Sequence, residues 1–147
     1  MHNDTFPYWN QLPQIDLYLD QVLVYVNQVI NQELSLEENI LTAAMINNYV
    51  KKGYLQKPIK KKYGRQQIAR LLVISYLKPV FSIQEIGQAI EAFQTDSEVL
   101  YNSFVEALEG NGDHTSPLIR AAITSLKNYY LTLDYIKALK EDDHGSN

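Results

Sequence analysis

The chain contains no cysteine among its 147 residues. Disulfides, thiolate nucleophiles and cysteine-ligated metals are therefore excluded. No apolar run reaches the roughly 18 residues of a membrane span, and the start of the chain does not resemble a secretory signal. We therefore expect a cytoplasmic protein with no membrane partner. With 46% hydrophobic and 20% charged residues, the composition predicts a single domain, residues 1–147, with its own core.

Signals for catalysis are equally sparse. His2, His114 and His144 lie at the start of the chain, in a loop and in a polar tail, and none has a partner at metal-ligand spacing. The stretch GNGDHTS has no predicted strand before it, so it does not indicate a phosphate-binding loop. No local signature completes a catalytic triad. The sequence therefore predicts neither an enzyme nor a cofactor.

Acidic residues are absent from residues 42–65, although the net charge of the whole chain is −4. This segment carries seven cations, and the rest of the chain carries six cations and 17 acids. Charge separated in this way is informative about partners rather than about the fold. It indicates an electrostatic footprint for nucleic acid. A solubilising lysine surface is the alternative interpretation.

Helical periodicity and capping signals run through most of the chain. The apolar spacing predicts a helix over 14–31, and Ser35 with Glu38 forms a capping box that predicts a short helix after it. The helix that begins at Arg65 is almost wholly apolar in its second half, which is typical of a helix central to a core. Pro79 ends this helix. Other helices are expected from Ser82 to about Phe93, from Thr95 to Gly110, and from Pro117 to a frayed polar tail.

A short helix is predicted over residues 43–52, and it has the clearest start and stop signals in the chain. Thr42 is a good N-cap, and Leu41 and Ile46 occupy the staple positions around it. Gly53 stands where a helix ends in the left-handed conformation. Pro58 and other breakers in the following YLQKPIKKKYG predict a tight hairpin or loop.

One face of this short helix carries Ala44, Asn47, Asn48 and Lys51, at the spacing i, i+3, i+4 and i+7. Asparagine can pair with the edge of adenine, and lysine can contact phosphate or guanine. The face is therefore typical of a recognition helix in the major groove. An ordinary solvated face is the alternative. The cations that follow would contact phosphates and set the docking register.

The segments TAAMINNYVKKGYL and KKKYGRQQIARLLVISYLKPVFSIQEI resemble the winged helix-turn-helix of MerR-type regulators. They are more similar to a bacterial family called domain of unknown function eighteen thirty-six, for which MINNYVKKG and KKKY are specific. The resemblance covers residues 41–90 and implies DNA binding of the MerR type. It places Asn47 where MerR-type proteins have a DNA-contacting arginine, and Lys61 and Tyr63 at the end of the wing. The short first helix of the MerR type, with its glycine-containing turn, is not visible before Thr42.

The resulting fold prediction is all-α, with a small β-ribbon as the wing. A MerR-like winged helix-turn-helix occupies 14–93, and a C-terminal helical extension occupies 94–140. Tyrosines and Phe104 cluster in the extension, where core packing, a dimer face and a small effector pocket all remain open.

The function predicted is sequence-specific DNA binding by a transcriptional regulator. Its partner is double-stranded DNA, a homodimer is expected by analogy, and no effector is identified. A protein-interaction adaptor that uses the same basic face is the alternative. The predicted DNA-binding residues are Thr42, Ala44, Asn47, Asn48, Lys51, Lys57, Lys60, Lys61, Lys62, Tyr63 and Arg65.

Overall fold

A computed structural model describes residues 6–35, 39–111 and 113–145. His2 and Glu38, which the sequence analysis considered, lie outside these ranges, as does the side chain of His144. The described chain is mostly helical, which confirms the all-α prediction, and it includes one small antiparallel sheet. None of its helices is both long and apolar enough to cross a membrane.

The elements follow one another with short connections. A 3-10 turn (Trp9–Gln11) precedes the first strand, β1, and the second strand, β2, lies between the second and third helices. Their bounds are β1 Leu17–Tyr18, α1 Leu19–Leu34, α2 Ala43–Lys51, β2 Lys62–Tyr63, α3 Arg65–Leu77, α4 Ile83–Ala92, α5 Ser97–Leu108 and α6 Pro117–Gly145.

The structure corrects the predicted bounds of the first helix. Residues 14–18, predicted as the start of this helix, are not helical, because Leu17 and Tyr18 pair with Tyr63 and Lys62 in the sheet. The helix then continues to Leu34, and Ser35 ends it in the left-handed conformation, with φ of 54°. Ser35 is therefore the C-cap of α1 and not the N-cap of a new helix, and residues 36–38, where the predicted short helix would begin, lie outside the described residues.

Two further bounds differ from the prediction. The N-cap of α5 is Asp96 rather than Thr95, and its side chain makes no capping hydrogen bond. The polar tail is not frayed after residue 140, because α6 remains helical to Gly145. By contrast, the box of Ser82 and Glu85 is confirmed, with reciprocal backbone-to-side-chain bonds of 3.1 and 2.9 Å.

Helix α3 is the centre of the core, as its apolar sequence predicted. It is covered by α1, α4, α5 and α6. Its side chains are buried around most of its circumference, so α3 must be packed on several sides at once. The fully or almost fully buried positions are Ile68, Leu71, Leu72, Ile74 and Tyr76.

The aromatic N-terminal segment closes one end of this core. The ring of Phe6 meets Tyr76 and Phe104 edge-on, with centroids 6.1 and 5.9 Å apart. The Tyr101 hydroxyl donates to the Pro7 carbonyl at 2.7 Å. Edge-on aromatic contacts and buried hydroxyl bonds stabilise this arrangement, so the N-terminal segment and α5 form one packed unit with α3.

A buried asparagine joins α1 to the start of α2. Asn27 is only 4% exposed. Its amide donates to the Leu41 carbonyl at 2.9 Å, and its side-chain oxygen accepts the Leu41 N–H at 3.0 Å. Both backbone polar groups of the buried Leu41 are thereby satisfied. Leu41 directly precedes the N-cap of α2, so this pair of bonds fixes where α2 begins.

We expect Asn27→Ala to lower the free energy of unfolding by about 2 kcal/mol or more, because it leaves both Leu41 groups buried and unpaired. Urea unfolding followed by circular dichroism measures the change. Asn128→Ala, at an exposed position on α6, is the matched control. Equal urea midpoints for the two variants would contradict the role assigned to Asn27.

Candidate nucleic-acid interface

Local residues cap helix α2 at both ends. The Thr42 hydroxyl accepts the Met45 N–H at 3.2 Å, which confirms Thr42 as the N-cap. At the other end Gly53 has φ of 83°, and its N–H donates to Val50 at 3.1 Å. The next N–H, of Tyr54, donates to the Tyr49 carbonyl at 2.8 Å. These two bonds form a Schellman motif, so the predicted glycine C-cap is confirmed.

The segment after α2 is fixed against α4. A Cβ placed on Gly87 would lie 2.9 Å from Cδ1 of Tyr54. Only glycine leaves room for the Tyr54 ring at this point on α4. The exit of α2 is therefore positioned by a close contact as well as by its cap.

The two faces of α2 differ sharply. Ile46 and Tyr49 are buried in the core, and burial raises the pKa of the Tyr49 hydroxyl. The opposite face is exposed along its length, as its spacing predicted. This exposed face consists of Ala44, Asn47, Asn48 and Lys51.

A β-hairpin with a two-residue turn follows α2. Ile59 and Lys62 exchange both backbone hydrogen bonds, each 3.0 Å long. Between them Lys60 and Lys61 have φ of 52° and 69°, as a type I′ turn requires. Such turns favour asparagine and glycine, and a left-handed conformation costs other residues roughly 1–2 kcal/mol each. Two lysine side chains are thus held at an exposed, strained tip, and strain of this kind is common at functional sites.

The returning strand of the hairpin joins β1 in the sheet. Lys62 is half-buried, with its Nζ 5.1 Å from the centroid of the Tyr18 ring, at cation–π distance. Tyr63 is only 3% exposed, and burial raises the pKa of its hydroxyl. Its side chain belongs to the core and not to the basic surface.

Gln67 ties the hairpin to α3. Its side-chain oxygen accepts the Gly64 N–H at 2.6 Å. Its amide donates to the carbonyls of Gln56 and Lys57 at 2.9 and 3.0 Å. One carboxamide therefore holds the segments on both sides of the hairpin, so the hairpin has a fixed position relative to α3.

Apart from Tyr63, the predicted contact residues are all exposed or half-buried. We call this set the basic surface, and it consists of the exposed α2 face with its cap Thr42, and the hairpin cations. Lys57, Lys60 and Lys61 are exposed, while Arg65 is half-buried at the start of α3. One carboxylate lies near its base, since Asp16 is 3.4 Å from a Cβ placed on Gly64.

Two residues of this surface were missed by the sequence analysis. Ile59 is 78% exposed at the hairpin tip, and no sequence pattern distinguishes it from a core residue. Gln67 carried a usable signal, because a glutamine three residues after an N-cap is the capping-box position. Its further bonds to residues 56 and 57 could be known only from the folded chain.

The comparisons with known proteins give one match. The model of the family described as "Domain of unknown function (DUF1836)" matches residues 7–106. No curated protein and no solved structure matches the chain. The matched range includes α1 to α4 and most of α5, and therefore the whole basic surface.

We expect Gln67→Ala to loosen the hairpin, because the Gly64 N–H loses its acceptor. The free energy of unfolding should fall by about 1 kcal/mol. Amide hydrogen exchange at Lys62, whose N–H closes the hairpin, should become faster. Gln88→Ala, at an exposed position on α4, is the control. Unchanged exchange at Lys62 relative to this control would contradict the assignment.

Proposed function

We propose that this chain, which belongs to the family of domain of unknown function 1836, is a sequence-specific DNA-binding transcriptional regulator. In this proposal α2 enters the major groove of double-stranded DNA, and the hairpin lies on the neighbouring phosphates. The observation that carries the proposal is an exposed asparagine–lysine face on α2, followed directly in the chain by a lysine hairpin that Gln67 clamps to α3.

The dimensions and chemistry of α2 suit a groove. An α-helix with its side chains is about 10–12 Å across, and the major groove is about 12 Å wide. Asn47 and Asn48 project from the exposed face with amides that can pair with adenine. Helix α2 contains no acidic residue, so no side chain on this helix repels the phosphate backbone.

The hairpin supplies the phosphate contacts of the proposal. Lys60 and Lys61 at its tip are exposed, and the Gln67 clamp holds the hairpin at a set position relative to α3. Such contacts set register and give a salt-dependent affinity without reading sequence. Most acids of the described chain lie on α4, α5 and α6, which disfavours DNA approaching those helices.

The order of elements supports a MerR-like winged helix-turn-helix within residues 14–93. The hairpin directly follows the proposed recognition helix, and α1 supports that helix from behind through Asn27. One difference is clear. Residues 35–42 separate α1 from α2, whereas a typical helix-turn-helix has a turn of only about 3–4 residues.

A homodimer is part of the proposal, with α6 as its contact. Residues 131–143 of α6 are all exposed, although several are large and apolar. A second copy would cover them, and dimers suit palindromic operators. Light scattering of the purified protein measures the mass directly. The exposed apolar residues are Tyr129, Leu131, Leu133, Tyr135, Ile136 and Leu139.

Selection from a random pool of duplexes at low salt should enrich one sequence motif. On that motif we expect Asn47→Ala to lose about 1–3 kcal/mol of discrimination at one base position, measured by fluorescence anisotropy. Asn128→Ala should behave as wild type. The absence of any enriched motif, together with no duplex binding at low salt, would refute DNA recognition.

Substitutions in the hairpin turn can separate the effect of its charge on DNA binding from its effect on folding stability. Replacing Lys60 and Lys61 by Asn and Gly should stabilise the type I′ turn while removing two cations. We expect a higher melting temperature but weaker binding to every duplex, with a salt slope reduced by about two. Arg120→Ala, at an exposed position on α6 outside the proposed dimer contact, is the control. An unchanged salt slope would show that the hairpin does not contact phosphate.

One observation favours the protein-adaptor alternative. Ile59 exposes an apolar side chain next to Lys60, and an acidic protein with an apolar anchor would use both. Ile59→Ser distinguishes the two functions. DNA binding should tolerate this change, whereas a protein interface centred on the hairpin tip would lose affinity.

A further inference from the structure

An apolar groove opens between α3, α4, α5 and α6. Its cavity volume is about 90 Å³, and the groove is partly open to solvent. Its walls are formed mainly by aliphatic and aromatic side chains. Prominent among them are Val73, Leu77, Ile86, Ile90, Phe104 and Ile119.

One end of this groove is polar. Gln66 and Ser97 meet there, with the Gln66 amide donating to the Ser97 hydroxyl at 3.1 Å. Arg70 lies one turn further along α3, and it is the only charged residue among those that line the groove. The groove therefore has the polarity of an amphipathic ligand, with a single positive group near one end.

One donor of the Arg70 guanidinium makes no hydrogen bond within the described chain. This donor, Nε, is buried. Burial lowers the pKa of the guanidinium, and the nearby charge of Glu91 opposes this shift. A buried charged donor without an acceptor is costly, so an anion that reached Nε would recover a strong bond.

We propose that this groove binds a small amphipathic carboxylic acid. The carboxylate lies on Arg70, and the apolar part of the ligand extends along α3 toward Leu77. Seven residues of helix separate these positions, a distance of about 10 Å, which suits a medium-length alkyl chain or an aromatic ring with a short linker.

Charge and size favour this ligand over two others. A phosphate dianion would bring two charges to a groove lined by one cation. A partner helix is about 10–12 Å across with its side chains, which is too wide for a cavity of about 90 Å³. The site needs no DNA, so it stands or fails independently of the proposed function.

Isothermal titration calorimetry on the full chain tests the proposal, with decanoate and phenylbutyrate as probes. We expect saturable binding of at least one probe at one site per chain. Acetate, which lacks the apolar part, should not bind, and decanol should bind more weakly than decanoate. No saturable binding of either acid, or equal binding of decanoate and decanol, would overturn the proposal.

Three variants locate the site. Arg70→Gln should weaken binding of the acid at least tenfold without changing the affinity for decanol, whereas Lys137→Gln should change neither. Ala89→Leu places extra methyl groups in the groove and should abolish binding while the unfolding midpoint does not fall. If Arg70→Gln binds the acid as tightly as wild type, or Ala89→Leu still binds it, the assignment is wrong.

Discussion

The architecture depends on the burial of a single helix. Helix α3 is apolar on most of its circumference, and a helix of this kind is stable only when other elements remove it from water on several sides. Helices α1, α4, α5 and α6 do so, and the N-terminal aromatic segment packs on Tyr76 near the end of α3. Every other helix except α2 is therefore placed by its contact with α3.

The same helix organises both candidate sites. At its first turn Gln67 holds the segments on either side of the basic hairpin. One turn later Arg70 faces the apolar groove. Helix α4 is shared in a similar way, because Ile86 lines the groove and Gly87 lies against Tyr54 at the exit of α2. The two sites are thus built on common, rigid elements.

Local signals in the sequence predicted local structure well. The caps of α2 at Thr42 and Gly53, and the box at Ser82, depend on bonds between residues a few positions apart, so their residue types were sufficient. Ser35 and Thr95 show the limit of such signals. Ser35 suits a capping box, but the continuation of α1 decides its conformation.

Features that depend on distant residues could not be predicted. The sheet pairs Leu17 with Tyr63, and this pairing both shortens α1 and buries a tyrosine that the sequence placed on the basic surface. The exposed face of α2 was predictable because helical spacing alone defines it. The groove beside Arg70 was not, because four helices from separate parts of the chain enclose it.

The bonds between Asn27 and Leu41 have a consequence for how this chain can vary. They join the Asn27 side chain directly to the backbone of Leu41, and thirteen residues separate the two in the chain. Loop-closure entropy changes slowly with length, so insertions between the end of α1 and Leu41 are predicted to cost little. They would also leave the start of α2 in place, because its hydrogen bonds to Asn27, and not its distance along the chain from the end of α1, fix that start. Related chains could therefore differ in the connection between α1 and α2 and still present the same face of α2.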